Sequence, residues 1–395
     1  MADDELLVLI EQGADRILAE TGVRFEGDPE TLDMWRQHGA RVVEDRVYLD
    51  GEALRAIIRS SAPPRVTLRG RNPQRDVTIG DGERPVFAPV YGPPNVLLRD
   101  GQRQPGSLAH YTELVRLAHE ASALTCTGHM LCVMNDVPEA ARPLEMAWAH
   151  LAHSDKPFMG TVASPTAARD VISLVSKAVG RAAQAGSCNL LHLINSTPPL
   201  TFKENPLKCL RTIARCGEGA MVTSYMMMGA TSPVTVSGAL MQGYAEVMAG
   251  LALAQLWSPG APVVMGIYAL PFSMRSMLPV FGDPVAHMVQ MFSVRLARRL
   301  GVPARGDGGV TSAKVDDGQA GYEGASANAA AILSGADFVL HSAGWLELGR
   351  CTSFSKFERD AAMIGAMLGL GAAVQASPLM LDPALQREFQ ALLPP

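Results

Sequence analysis

The sequence predicts an α/β chain whose main body is a (β/α)₈ TIM-type barrel, preceded by a small N-terminal α+β region. Three observations carry that expectation. Eight short apolar runs alternate with helix-length segments from Pro85 onward. Several intervening segments carry apolar residues at i, i+3, i+4 and i+7, as helices packed on one face do. The densest turn chemistry, in NSTPPL, MGATSPVT, LPFSM and GDGGVTS, follows the ends of the apolar runs, where a barrel places its functional loops. An open doubly wound sheet is the alternative, but no G-x-G-x-x-G follows the first run.

Residues 1–84 form the first unit, an α+β cap. The reading there is a helix over Asp4–Glu20, a strand at VRFEG, a helix over Thr31–His38, a strand at RVYLDG, a helix near Glu52–Ser60, then the β-rich RVTLRGRNPQRDVTIGDG. Residues 85–395 form the barrel. Its expected strands are 85–91, 124–133, 157–163, 188–195, 220–227, 262–269, 302–308 and 337–344. Helix-like stretches such as LAHYTELVRLAHEA and ARDVISLVSKAVGRAA separate them.

Composition narrows the function classes. With 48% hydrophobic and 18% charged residues, 395 residues can bury a large core. A formal charge of -5 without basic blocks excludes a nucleic-acid or anionic-membrane surface. The start MADDELLVLIEQ is acidic and helical, unlike a secretory signal, and no uninterrupted apolar stretch is long enough to span a bilayer, so a cytoplasmic location is expected. The six cysteines are dispersed and read as reduced thiols. Twenty methionines exceed ordinary usage; they read as core filling, with a soft pocket wall as the other use. A barrel of this size is expected to form a homo-oligomer.

No tightly bound metal is expected. Cys126-x-x-His129-x-x-Cys132 has metal-like residue types, but strand alternation would turn its members to opposite faces and no fourth ligand is evident. His129 by itself can face the barrel mouth. GDGGVTS lacks the lysine and spacing of a phosphate loop. An aldolase or lyase would be marked by a lysine on an inner strand face. Lys156 precedes its strand and Lys314 lies in a loop.

The aromatic residues, only 6% of the chain, gather near strand ends. Tyr91, Tyr225, Tyr268, Phe272 and Trp345 fall at or just beyond them, and Tyr322 follows the seventh. Each could be core packing; together they suit a cage for a cation, held by the ring quadrupoles. Asp307, Glu323 and Glu347 are the acidic groups that could supplement it, while Asp316 and Asp317 suit turns or helix caps.

Several stretches carry a family resemblance. GATSPVTVSGALMQGYAEVMAGLALAQLWSPGAPV (229–263), RNPQRDVTIG (71–80), Lys156–Pro157, SAKVDDGQAGYE (312–323) and SFSKFERDAAMIGAMLGLG (353–371) occur in collinear order. In these the chain resembles the trimethylamine methyltransferase family. The resemblance implies a (β/α)₈ barrel that passes a methyl group from a methylated amine to a corrinoid protein, or to tetrahydrofolate. Nothing in the sequence represents pyrrolysine, so the pyrrolysine-free branch, which includes enzymes of quaternary amines such as glycine betaine, fits better. The sequence ends at Pro395, without the C-terminal extension, rich in a His-Thr signature, of many relatives. That favours folate as the acceptor if the extension docks the corrinoid partner.

The implied chemistry matches what the sequence lacks. A quaternary nitrogen has no proton to exchange and leaves as a neutral tertiary amine, so alignment rather than acid–base catalysis must supply the rate. No G-x-S-x-G or H-E-x-x-H is present. Asp307, Glu323 and Glu347 are therefore the expected catalytic carboxylates. The substrate-binding set adds Tyr91, His129, Tyr225, Tyr268, Phe272, Tyr322, His341, Trp345 and Arg350. For a betaine carboxylate, Arg305, Lys314, His341 and Arg350 are available, with His341 or Arg350 preferred. Asn195, Gly229 and Thr231 either shape their loops or touch substrate or a pterin. A non-catalytic betaine-binding barrel is the alternative reading.

Overall fold

The computed structural model describes residues 3–181 and 184–375. It is a mixed α/β fold whose centre is a set of parallel strands with helices outside. The strands and helices of the body are β1 (Val86–Phe87), α1 (Leu108–Glu120), α2 (Arg142–His153), β2 (Phe158–Gly160), α3 (Pro165–Val179), β3 (Leu190–Asn195), α4 (Glu204–Arg215), β4 (Gly219–Met228), α5 (Val236–Trp257), β5 (Val263–Ser273), α6 (Pro284–Leu300), β6 (Arg305–Asp307), α7 (Gly318–Ser334), β7 (Phe338–Leu340) and α8 (Phe354–Gln375).

β2, β3, β4 and β5 form a parallel half-barrel. β6, β7 and β1 form a second parallel group. The Met265–Ala304 bridge joins β5 to the chain entering β6. Between β1 and β2 the expected strand 124–133 is not a regular strand. Gly128 takes φ +80° there and turns the chain, while Cys126 N donates to Phe87 O, Thr127 N to Pro157 O, and Met159 N to Gly128 O. Backbone bonds thus pass from β1 through this bent segment to β2.

The side chains between the strands are almost wholly apolar in the lower layers. Val86, Ala88, Cys126, Met159, Leu191, Leu193, Met221, Val264, Phe338 and Leu340 share one cluster with Val66, Leu68 and Ile79. The last three come from an N-terminal hairpin, Val66–Leu68 against Val77–Ile79, which extends onto Ser187–Cys188 just ahead of β3. The hairpin therefore plugs the N-terminal end of the strands.

α5 is apolar around its whole circumference and is buried accordingly, from Ala239 to Gln255 with the half-covered Met241 excepted. It lies between the strands and the N-terminal helices Asp3–Arg16 and Gly51–Ser61, which Arg55 and Asp15 tie together at 2.8 Å. The sheet Val23–Phe25, Arg46–Tyr48 and Arg41–Val43 continues onto Thr201–Phe202 of the body. No helix among the described residues is long and apolar enough to cross a membrane.

Candidate active site

At the C-terminal ends of the strands the aliphatic filling gives way to rings. Tyr225 and Tyr268 are register partners on β4 and β5, and their rings stack at 5.9 Å. Tyr268 meets Phe281 at 6.4 Å, Phe281 meets Trp345 at 5.0 Å, and Trp345 meets His341 at 4.6 Å. His341 then faces Tyr91 at 6.5 Å, and Tyr91 stacks on His129 at 5.5 Å. Seven rings from four strand ends and the segment after Gly128 form one arc.

Asp307 and Arg305 stand inside that arc. They are two residues apart on β6 and so project to the same face. Arg305 Nη2 donates to Asp307 Oδ1 at 2.5 Å, both side chains are buried, and His341 Nε2 lies 3.7 Å from the same oxygen. Gly266 on β5 makes the space: a Cβ there would lie 3.0 Å from both Arg305 Cδ and Thr223 Oγ1.

Burial pushes the Asp307 carboxyl above its ordinary range, against the charge and hydrogen bond of Arg305. Burial also drives His129 down to about 3 and His341 well below its usual value, so both imidazoles are neutral. The phenols of Tyr91 and Tyr225 are pushed up to about 12 and that of Tyr268 higher still. The imidazoles and phenols are thus neutral, and the ion pair among these groups is that of Asp307 with Arg305. Five buried polar atoms here have no partner among the described residues: His129 Nδ1, Thr223 Oγ1, Tyr268 OH, Arg305 Nε and His341 Nδ1. Buried polar atoms are ordinarily paired, so these five call for an explanation.

The surrounding structure fixes the arc. Tyr111 OH donates to His129 O and contacts His150 Nε2 at 2.9 Å, and His150 Nδ1 contacts Thr127 Oγ1 at 2.8 Å. Lys156 Nζ donates to the carbonyls of Ala118, Ala121 and Leu124, closing the end of α1 and setting the segment that leads to His129. On the other side the buried Glu246 of α5 accepts from Ser196 Oγ, Leu200 N, Ser224 Oγ and Gln242 Nε2. Ser224 precedes Tyr225, and Gln242 also donates to Thr231 O. One carboxylate therefore anchors the loops after β3 and β4.

Asp307, Tyr91, His129, Tyr225, Tyr268, His341 and Trp345 are brought together as the sequence suggests. The remaining expected residues are not. Glu323 accepts from Thr311 Oγ1 at 2.5 Å and Ser312 N at 2.8 Å, and holds the loop after β6. Glu347 pairs with Arg103 at 3.1 Å. Tyr322 is 71% exposed on α7, opposite the buried Ala320, Gly324 and Ala327. Phe272 lies where β5 runs out into a hairpin against Pro279, and Phe281, on the return, takes its place in the arc. Arg350 is exposed on the rim. Thr231 Oγ1 accepts from Met227 N, a turn bond, and Gly229 takes φ +90° in the same turn. Asn195 ends β3 exposed at the strand tips. Asp317 caps α7 through Ala320 N.

Cys126 and Cys132 belong to separate buried clusters, so the Cys-His-Cys spacing does not converge, though for a different reason than strand alternation. Among the described residues no group of three His, Cys, Asp or Glu is arranged to hold a metal. Sequence reasoning passed over Phe281 and ranked Arg305 behind His341 and Arg350 as a carboxylate partner, although its i, i+2 spacing from Asp307 put both on one face.

The family described as Trimethylamine methyltransferase (MTTB) matches residues 1–386. The chain belongs to that family. Glycine betaine methyltransferase of Desulfitobacterium hafniense (strain Y51) is 36% identical over 91% of this chain and 74% of its own length. The proline betaine:corrinoid methyltransferase of Eubacterium limosum is 26% identical over 97% of this chain and 79% of its own. The crystal structure of Methanosarcina barkeri monomethylamine methyltransferase superposes with a TM-score of 0.53 at 11% identity, over 93% of this chain and 80% of that one. That last likeness is one of fold.

Proposed function

We propose that this chain is a closed (β/α)₈ barrel, capped by residues 1–84, that demethylates a carboxylate-bearing quaternary amine such as glycine betaine and delivers the methyl group to a corrinoid on a partner protein. The bridge from β5 to β6 and the bonds through the 124–128 segment support closure of the eight-strand ring. The observation that carries the functional reading is the arc of rings around a buried Asp307–Arg305 pair.

The arc accepts a trimethylammonium head, since ring faces attract a permanent cation that has no proton to donate. Asp307, when ionised, adds a negative charge where water is excluded. Arg305 Nε and His341 Nδ1, both lacking partners, supply donors for a carboxylate two or three bonds from the nitrogen. A zwitterionic guest thereby meets the complement of the site's own ion pair. The chain's residues orient the head so that one methyl points out through the mouth and the C–N bond lies in line with the incoming acceptor. The bonding pair leaves with nitrogen as the methyl carbon is captured, and the product is a neutral tertiary amine. The tyrosines and histidines stay neutral, and the reaction asks no proton transfer of them. The corrinoid supplies the nucleophile.

Two of the relatives named above are betaine methyltransferases, and the name of one specifies a corrinoid; an L-carnitine:corrinoid methyltransferase of Eubacterium limosum is a further relative. Tetrahydrofolate finds no support among them. The test incubates purified protein with glycine betaine, proline betaine or L-carnitine and reduced cobalamin, with a parallel arm containing tetrahydrofolate instead. Formation of the demethylated amine in the cobalamin arm is expected. Product in the folate arm alone would overturn the acceptor, and binding of a betaine without product in either arm would leave a non-catalytic betaine-binding barrel.

A further inference from the structure

The SFSKFERD stretch at the start of α8 stood out in the sequence, yet none of its side chains reaches the mouth. Its role is visible in two backbone groups. Lys356 Nζ donates to Gly309 O at 3.0 Å and to Asp360 Oδ2 at 2.6 Å. The same carboxylate oxygen accepts from Gly344 N at 2.9 Å. Lys356 and Asp360 are one helical turn apart, so they share a face. Both are buried, at 1% and 4% exposure.

The two backbone groups bracket the site. Gly309 is two residues beyond Asp307, in the loop after β6. Gly344 immediately precedes Trp345 and follows His341 by three, in the loop after β7. Trp345 Nε1 donates across to Thr311 O at 3.2 Å, so the loops are in register with each other above the pair. Two glycines admit it. At Gly324 on α7 a Cβ would lie 3.0 Å from Lys356 Nζ, and Gly344, at φ +89°, is in the left-handed region. An apolar pair of similar volume would serve stability as well as a buried ion pair does, so retention of the charges calls for a second reason.

We propose that Lys356 and Asp360 are positioning residues that set the aperture of the ammonium site, holding Asp307 on one side and His341 and Trp345 on the other. The inference rests on the reading of the mouth as a quaternary ammonium site. The pair acts only through Gly309 and Gly344, and its loss lets the two loops drift apart rather than removing a contact to the guest.

Lys356→Met alone strands a buried carboxylate and is expected to destabilise the whole chain, so the informative variant is Lys356→Met with Asp360→Leu, which removes both charges. Two readouts are taken on the full chain: hydrogen exchange by mass spectrometry, and calorimetric affinity for tetramethylammonium and tetraethylammonium. The double variant is expected to keep a cooperative melt, while residues 308–313 and 341–346 exchange at least about tenfold faster and β3 and β4 are unchanged. The wild-type preference for the smaller ion is expected to fall by about tenfold, because a looser aperture admits the larger head. A merely structural pair would weaken both ions alike. Gly324→Ala keeps both charges and crowds the ammonium; it is expected to move selectivity the same way by roughly threefold. Unchanged loop exchange, or unchanged selectivity in both variants, overturns the proposal. If wild-type protein binds neither ion, the reading of the mouth falls, and loop exchange alone decides whether the pair holds the two loops.

Discussion

At the floor of the parallel strands, Val66, Leu68 and Ile79 close the interior against Val86, Met159, Met221 and Phe338 in one apolar cluster. A few residues further along the same strands, the interior holds seven rings, a buried ion pair and five polar atoms without partners. The floor has the composition of a core made for burial. The mouth has groups that burial alone disfavours: a carboxyl pushed up, imidazoles pushed down and orphaned donors. Unsatisfied polar groups are costly in a folded chain. The five at the mouth set that end of the strands apart from the apolar floor, and on the proposed reading they divide binding from stability along the strand axis.

Four substitutions or conditions test that division, beginning with the largest effect. Asp307→Asn leaves Arg305 buried without its counter-ion and facing a cationic guest. Its removal is expected to cost about 3 kcal/mol in transition-state binding, on the order of 100-fold in kcat/KM for betaine demethylation. Wild-type kcat/KM in a folded Asp307→Asn protein would show that the cation sits elsewhere. At the floor, Leu68→Ala is expected to lower unfolding free energy by about 3 kcal/mol in urea titration, with betaine affinity unchanged within about twofold. A tenfold affinity loss without loss of stability would break the comparison.

Trp345→Leu removes the best cation-binding face in the arc while keeping an apolar side chain. The dissociation constant for glycine betaine, read by calorimetry, should rise about tenfold, with a smaller effect on stability. An unchanged constant would reduce the arc to packing. The smallest effect concerns pH. Asp307 attracts the cation only when ionised, and burial raises its pKa, so kcat/KM should fall as pH drops through that raised value; Asp307→Asn should lack this limb. The buried histidines stay neutral to well below their usual range and the tyrosines to about 12 or above. Apart from the Asp307 limb, the profile should therefore vary by less than about twofold from about pH 7 to 9. A bell with an imidazole limb near neutrality would show that a proton is being moved after all.

Much of this was legible in the sequence because strand ends could be located. Seven of the eight expected strands are strands, and Tyr91, Tyr225, Tyr268, His341 and Trp345 reach the mouth because each sits at or just past such an end. The 124–133 run failed as a strand because Gly128 adopts a positive φ, which apolar patterning does not report. Phe272 and Phe281 exchanged roles because β5 overshoots into a hairpin, a tertiary event invisible to spacing. Tyr322 was readable in principle. Asp317 caps α7, and counting from that cap puts Tyr322 on the face opposite Ala320 and Gly324. Glu323 and Glu347 are carboxylates near strand ends like Asp307, and only their partners, the loop after β6 and Arg103, distinguish them.

The central claim is that the mouth holds a permanent positive charge rather than a bulky apolar head. Calorimetry with glycine betaine and its uncharged-head isostere 3,3-dimethylbutanoate isolates that charge, since the two share shape and carboxylate. Binding of the betaine at least about tenfold tighter is the predicted result, given rings and a carboxylate around the head. Equal affinity, or tighter binding of the isostere, would contradict it.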